Sequence, residues 1–431
     1  MALIAAWNLG WRLELMETVS QRTSSVVTFI LLVLCSLAGS GSALAQGALT
    51  IASADGANQL SVRGYAQIDA RAFVDDDHDE TPSTFLVRRA RIFIDGSAHD
   101  WIRFRITPDF AGSRLTLFDA YFEARFAKAF VFRGGKFKVP VGLERLQVGS
   151  DLRFVERAFP TVLAPNRDIG VGLSGDLAGD RVSYSTSFTN GVPDGLSGDT
   201  ESDKGKDFAG RVMVRAWGPE RRARLGTLSV GIAGTRGLAE GTPSQPGLPI
   251  VEQIGVGTVF RYRSGLTPDA AAVADGTRGR VMPQATYYRG PLGVMAEYIR
   301  TSQDVTRGAE RTTGRLAAWQ VAGSWIATGE ENSFQGIKPA NPLAPGSGHW
   351  GALELAVRYH AFDADESLFP VFADPAVSVR SASAWDLSAN WYWNAYVKFM
   401  VNYEQTTYKG GAPVGDRPAA HLFLVRMQFS L

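Results

Sequence analysis

Cysteine is nearly missing from this chain: Cys35 is the only one in 431 residues. It lies inside an apolar run, so the stretch from Gln46 onward has no disulfide and no thiolate metal or redox chemistry. Long apolar runs are missing too, apart from that one. Val26–Leu37 is too short for the roughly 20 residues a membrane helix needs. It follows Arg22 and precedes small residues and Ala43-Leu44-Ala45. A basic flank, a short apolar core and an A-x-A site describe a secretory signal peptide, expected over residues 1–45 with Met16 as an alternative start. Leu34 is not the small residue that a lipid-anchor cysteine wants in front of it.

Charge of one sign is also lacking. The formal net charge is +1, and it stays +1 once Arg12, Glu14, Glu17 and Arg22 leave with the signal. Such a balance excludes nucleic acid as an expected partner. The five histidines (His78, His99, His349, His360 and His421) stand in no G-x-S-x-G or H-E-x-x-H context. The sequence therefore predicts no enzyme, no cofactor and no metal.

What is abundant is glycine, at 46 residues, and period-2 alternation. Trp101–Thr107 sets Ile102, Phe104 and Ile106 against Arg103, Arg105 and Thr107. Thr116–Phe126 sets Phe118, Ala120, Phe122, Ala124 and Phe126 against Asp119, Tyr121, Glu123 and Arg125. The same holds for Leu353–His360, for Val397–Glu404 and for the last stretch, where Phe423, Val425, Met427, Phe429 and Leu431 oppose Arg426, Gln428 and Ser430. Exported strands of about ten residues, apolar on one face and charged on the other, predict a transmembrane antiparallel β-barrel of the bacterial outer membrane with a wet lumen. The expected division is a short periplasmic segment at 46–60 and a barrel over 61–431. Roughly 17 strand-like stretches can be counted, with the ambiguity between Arg181 and Gly255, and closure needs an even number. Sixteen is favoured and eighteen is the alternative. Aromatic residues at strand ends (Tyr287-Tyr288, Trp391-Tyr392-Trp393, Tyr396 and Tyr408) suit interfacial girdles. The first outer loop carries the acidic run Asp75–Glu80, suited to divalent cations bridging lipopolysaccharide but without EF-hand spacing, so it reads as a solvated tip.

Several blocks resemble the phosphate-selective porin O and P family. They are Val87–Arg91, Pro108–Gly112, Leu117–Tyr121, Gly135–Glu144, Phe154–Ala158, Arg167–Val171 and Gly351–Tyr359, in the family's order. The most specific is Gly135-Lys136-Phe137-Lys138-Val139-Pro140-Val141-Gly142-Leu143-Glu144. The resemblance implies a 16-stranded homotrimeric porin in outer-membrane lipid and lipopolysaccharide, passing small solutes, with its third extracellular loop folded into the pore. The stretch between Lys138 and Asp168, about thirty residues without clean alternation, matches that loop in place and length. It carries Glu144, Arg145, Asp151, Arg153, Glu156, Arg157 and Arg167.

Selectivity for anions needs positive charge at a constriction, where low-dielectric walls concentrate the field. The faces that alternation turns inward hold Arg89, Arg91, Arg103, Arg105, Arg211, Arg215 and Lys398, joined by Lys136 and Lys138 beside the loop. Asp119, Glu123, Glu354 and Glu404 are expected on the same inner surface. These charges point to small anions, phosphate among them, and leave two alternatives open: a general porin without a phosphate site, and a closed structural or adhesive barrel.

Overall fold

The computed structural model describes residues 48–74, 83–200, 203–253 and 255–431. The signal segment and the acidic run Asp75–Glu80 lie outside them. A short strand, Leu49–Ala52, precedes the barrel in sequence.

Sixteen antiparallel strands make the wall. In chain order they are β1 (Asn58–Phe73), β2 (Thr84–Ala98), β3 (Ile102–Asp109), β4 (Thr116–Ala127), β5 (Phe130–Lys138), β6 (Arg167–Leu177), β7 (Val182–Thr189) and β8 (Asp207–Arg215). There follow β9 (Thr227–Glu240), β10 (Val273–Arg289), β11 (Leu292–Arg307), β12 (Glu310–Ile326), β13 (Ala352–Ala364), β14 (Val379–Tyr392), β15 (Val397–Gly410) and β16 (Ala420–Ser430). Each pairs with the next, and β16 pairs with β1 through registers such as Arg426↔Asp69, so no strand edge is left open. Closure is what lipid demands, because an unpaired backbone group in hydrocarbon has no water to bond.

Period-2 patterning decides which side chain meets lipid. On β12, Trp319, Val321 and Trp325 face outward and are exposed, whereas Ala318, Gln320, Ala322 and Ser324 are buried on the inner side. On β16, Phe423, Val425, Met427 and Phe429 face out, and Leu424, Arg426 and Gln428 face in. Three of the girdle aromatics depart from the expectation. Tyr392 and Tyr408 are buried inside with their hydroxyls on Glu354 and Gln253, and Tyr288 faces the lumen side of β10 beside Arg153.

The region where the strand count was ambiguous holds a short helix, Pro219–Leu225, and a hairpin, Ile250–Gln253 with Gly257–Arg261. The hairpin alternates like a wall strand but pairs only with itself and packs inside. Val251, Val259 and Phe260 are fully buried, and Phe260 lies 5.1 Å from Tyr262 and 6.0 Å from Phe362. The wall behind it is apolar on its inner face too, through Met282, Ile299, Leu316, Ala318, Ala382 and Ala384. A wet lumen throughout was the expectation; instead the outer half of the lumen along β10–β15 is a dry core. The side chains there are too apolar to hold water, and burying each large one is worth about 2–3 kcal/mol.

Phe260→Ala should leave the barrel folded but loosen the hairpin, at a cost of about 3–5 kcal/mol to its packing. Limited proteolysis checks this: new cleavage confined to residues 241–272 is expected while the barrel core stays resistant.

Candidate functional site

The connection 139–166, between β5 and β6, is the third at the end of the barrel opposite the chain termini. It turns into the lumen and is largely buried. Two short helices shape it, α1 (Leu143–Leu146) and α2 (Phe159–Leu163). Gly142 opens α1 at φ 90°, where a Cβ would stand 2.6 Å from Arg145 Cβ, so only glycine makes this turn without strain. Glu297 of β11 then caps α1 from across the lumen, accepting from the backbone N–H groups of Leu143 (2.6 Å) and Glu144 (3.3 Å).

Ion pairs pin the loop against the β11–β16 wall. Arg358 reaches Glu144 at 3.1 Å and Asp386 at 2.8 Å, all three buried. Arg153 pairs with Glu354 at 2.8 Å and donates to the carbonyl of Ser333. Lys398 donates to the carbonyls of Ser150 (2.9 Å) and Leu152 (3.0 Å). At the loop's far side Glu156 is ringed by Arg88 (2.6 Å), Arg71 (3.0 Å), Arg426 (3.4 Å) and Arg89 (3.6 Å). Burial pushes the Glu156 carboxyl up, but Arg88, Arg89 and Arg426 outweigh it and hold it well below the usual carboxylate range.

Pinned there, the loop leaves water-filled space along the opposite wall, β2–β8. Two chambers are stacked in it. The outer one, 280 Å³, includes Arg88, Arg89, Phe118, Arg145, Glu156 and Arg157. The inner one, 270 Å³, includes Tyr65, Phe93, Arg105, Tyr121, Arg133, Phe137 and Arg211. Arg91, Lys138 and Arg167 line both and mark the waist between them. Cations outnumber acids in each chamber. Asp119 is the one acid of the inner lining, against Arg91, Arg105, Arg133, Lys138, Arg167 and Arg211.

Many of these cations are already paired. Arg91 bonds Asp109 (2.6 Å), Arg105 bonds Asp95 (2.6 Å) and Arg167 bonds Asp119 (3.0 Å). Lys138, Arg145 and Arg157 are different. Lys138 donates to the carbonyls of Arg145, Leu146 and Gln147 at 2.9–3.1 Å. Arg157 donates to those of Glu144 and Gln147, and Arg145 to those of Thr161 and Ala164. Among the described residues none of the three has a carboxylate within ion-pair distance. Burial, with Arg157 and Arg167 close by, pulls Arg145 down to about 9, and burial pulls Arg157 down to about 10 against the attraction of Glu144.

Of the residues expected to line the pore, Arg89, Arg91, Arg105, Lys138 and Arg211 border one or both chambers, as do Arg145, Glu156, Arg157 and Arg167 from the loop. The others line neither chamber. Arg103 and Arg215 stand at the inner mouth, Arg103 exposed and Arg215 bonded to the Asp180 carbonyl. Lys136 lies on the opposite face of β5 from Arg133 and Phe137, held by the Leu117 carbonyl and Asp199. Lys398 is behind the loop, Arg153 and Glu144 are on its wall-facing side, and all three serve as its anchors.

Alternation also missed residues. The β1–β2 register skips Arg88 between Val87 and Arg89, and the β3–β4 register skips Phe118 between Leu117 and Asp119. These β-bulges turn both side chains inward. Phe118, expected on the lipid face, instead lies under two guanidinium groups, Arg91 at 4.0 Å and Arg167 at 4.5 Å. Glu297, Arg133 and Arg358 were legible as inward-facing; their partners were not.

The family model of phosphate-selective porin O and P matches residues 60–431. No curated protein matches the chain. Among solved structures, the outer membrane channel DcaP of Acinetobacter baumannii aligns with a TM-score of 0.56 at 12% identity, over 88% of this chain and 99% of that one. The anion-selective porin from Comamonas acidovorans aligns at 0.56 with 10% identity, over 87% and 100%. The trimer form of Vibrio cholerae OmpT aligns at 0.54 with 11% identity, over 87% and 100%. At these identities the structures attest the fold, while the family match spans nearly the whole barrel: the chain belongs to the phosphate-selective porin O and P family and is a channel of the bacterial outer membrane.

Proposed function

We propose that this channel passes small anions in preference to cations, along the β2–β8 wall and through the waist at Arg91, Lys138 and Arg167. One observation carries the reading: Lys138, Arg145 and Arg157 converge on the water-filled path with no carboxylate in ion-pair distance among the described residues. An unneutralised cation in a narrow, low-dielectric passage attracts anions and repels cations more strongly than the same charge in open water. The carbonyls that hold these groups accept from their N–H donors without cancelling their charge. The Comamonas acidovorans relative in fold is an anion-selective porin, which is consistent with this reading. No dedicated phosphate site is needed for it.

A homotrimer is part of the proposal. Several strands between β3 and β8 are short, which lowers the wall on that side, and the outer face of β4 and β5 presents Phe122, Phe126 and Phe130. A low apolar wall suits contact with a second copy rather than with lipid of full thickness. Unheated electrophoresis and light scattering of detergent-extracted protein should report a three-copy mass.

The double variant Arg145→Ala/Arg157→Ala tests selectivity, read as the reversal potential of the reconstituted channel in a KCl gradient. The chloride-to-potassium permeability ratio should fall by roughly threefold or more, since one unit charge a few ångströms away is worth about 1 kcal/mol in high dielectric. The difference should shrink near 1 M salt, where the screening length is about 3 Å.

Glu156→Gln should act in the opposite sense by uncovering four arginines. Because the Glu156 pKa is depressed, its charge and the stability it confers persist from neutral pH down through the ordinary carboxylate range and are lost only in stronger acid. The extra anion preference of the variant over the parent should therefore be as large at pH 4.5 as at pH 7. A gap that falls by about half at pH 4.5 would show the carboxyl titrating normally.

A further inference from the structure

The inner chamber is lined by rings as well as by cations. Tyr65, Phe93, Tyr121 and Phe137 contribute to its surface, with Pro140, Leu146 and Val148 from the loop side. Cations stand over these rings. Arg133 sits 4.5 Å over Tyr121 and 5.4 Å over Phe137, and Arg105 sits 5.5 Å over Phe93. Tyr121 and Phe137 themselves meet edge to face at 6.5 Å. Arg133 bonds Glu123 at 3.0 Å and Arg105 bonds Asp95 at 2.6 Å, so these stacks are held in place while the rings beside them offer apolar surface.

We propose that the inner chamber is a binding site for small aromatic carboxylates: the carboxylate sits at the waist between Lys138 and Arg167, and the ring lies against Tyr121 and its neighbours. The inference rests on the anion preference argued above and names the solute class. Inorganic phosphate would use the donors but leave the ring-lined half of the chamber poorly solvated. A solute with one anionic end and one flat apolar end uses both. Size limits it, since 270 Å³ is close to the roughly 300 Å³ at which small-molecule pockets begin. Tyr121 is the residue most open to substitution, being only half-buried.

The test is a titration of chloride current through the reconstituted channel with benzoate, acetate and inorganic phosphate in parallel. Benzoate should reach half-block at a concentration about tenfold below acetate and below phosphate, as stacking on an apolar wall predicts. Tyr121→Ala should weaken benzoate block about fivefold and acetate block by less than about twofold. Should that variant not fold, Phe93→Leu removes a ring while keeping apolar volume, and should weaken benzoate block in the same selective way. Equal block by benzoate and acetate, or stronger block by phosphate, from a channel with anion-selective reversal potential would overturn the aromatic site and leave the anion preference standing. A reversal potential without anion preference would overturn both.

Discussion

The shape of this channel depends on one buried ion pair. Arg358 on β13 holds Glu144 at the start of the in-folded loop, and Asp386 on the next strand completes its coordination. Removing one partner of such a pair leaves a buried charge uncompensated, at a cost of about 3–5 kcal/mol. Glu144 also accepts from the Ala158 N–H (2.9 Å) and the Thr161 hydroxyl (3.0 Å), so the same carboxylate ties the two ends of the loop's inner course together. With that anchor in place, Arg145 and Arg157 are carried to the water-facing side. The loop is thus both the obstruction in the lumen and the carrier of two of its free cations.

A second consequence is the division of the lumen. The β11–β16 side is occupied by the loop, the hairpin Ile250–Arg261 and the residues that pin them, and its polar groups are spent on one another. Arg426 is bidentate to Asp69 at 2.7 Å, and Gln253 of the hairpin bonds Glu404 and Thr406. The β2–β8 side keeps water because its inner face has more charge than the fold can neutralise. The proposed anion preference follows from that surplus.

Charge bookkeeping along the path separates two kinds of cation. Arg91 and Arg105 answer acids on the neighbouring strand and Arg167 an acid two strands away, at 2.6–3.0 Å, which gives the wall rigidity. Lys138, Arg145 and Arg157 answer only carbonyls, which fix their positions and leave the field of the positive charge intact. The distinction is one of partners, which lie 7 to 48 positions away along the chain.

Strict alternation was enough to read the barrel, the direction of most side chains and the position of the pore loop, because lipid on one face and water or protein on the other imposes period 2 on every strand. It also placed Arg89, Arg91, Arg105 and Arg211 on the inner surface. Alternation failed at the two bulges, where one extra residue in one strand turns Arg88 and Phe118 inward, and sequence spacing has no mark for that. It failed again for Lys398, which faces inward as expected but is covered by the loop. The sequence by itself determined compartment, barrel and loop, since these follow from local periodicity and composition. Only the tertiary structure decided which inward charges meet water, because neutralisation depends on which strand or loop is folded against each: Arg91 and Asp109 are 18 positions apart, Arg167 and Asp119 are 48, and Arg153 and Glu354 are 201.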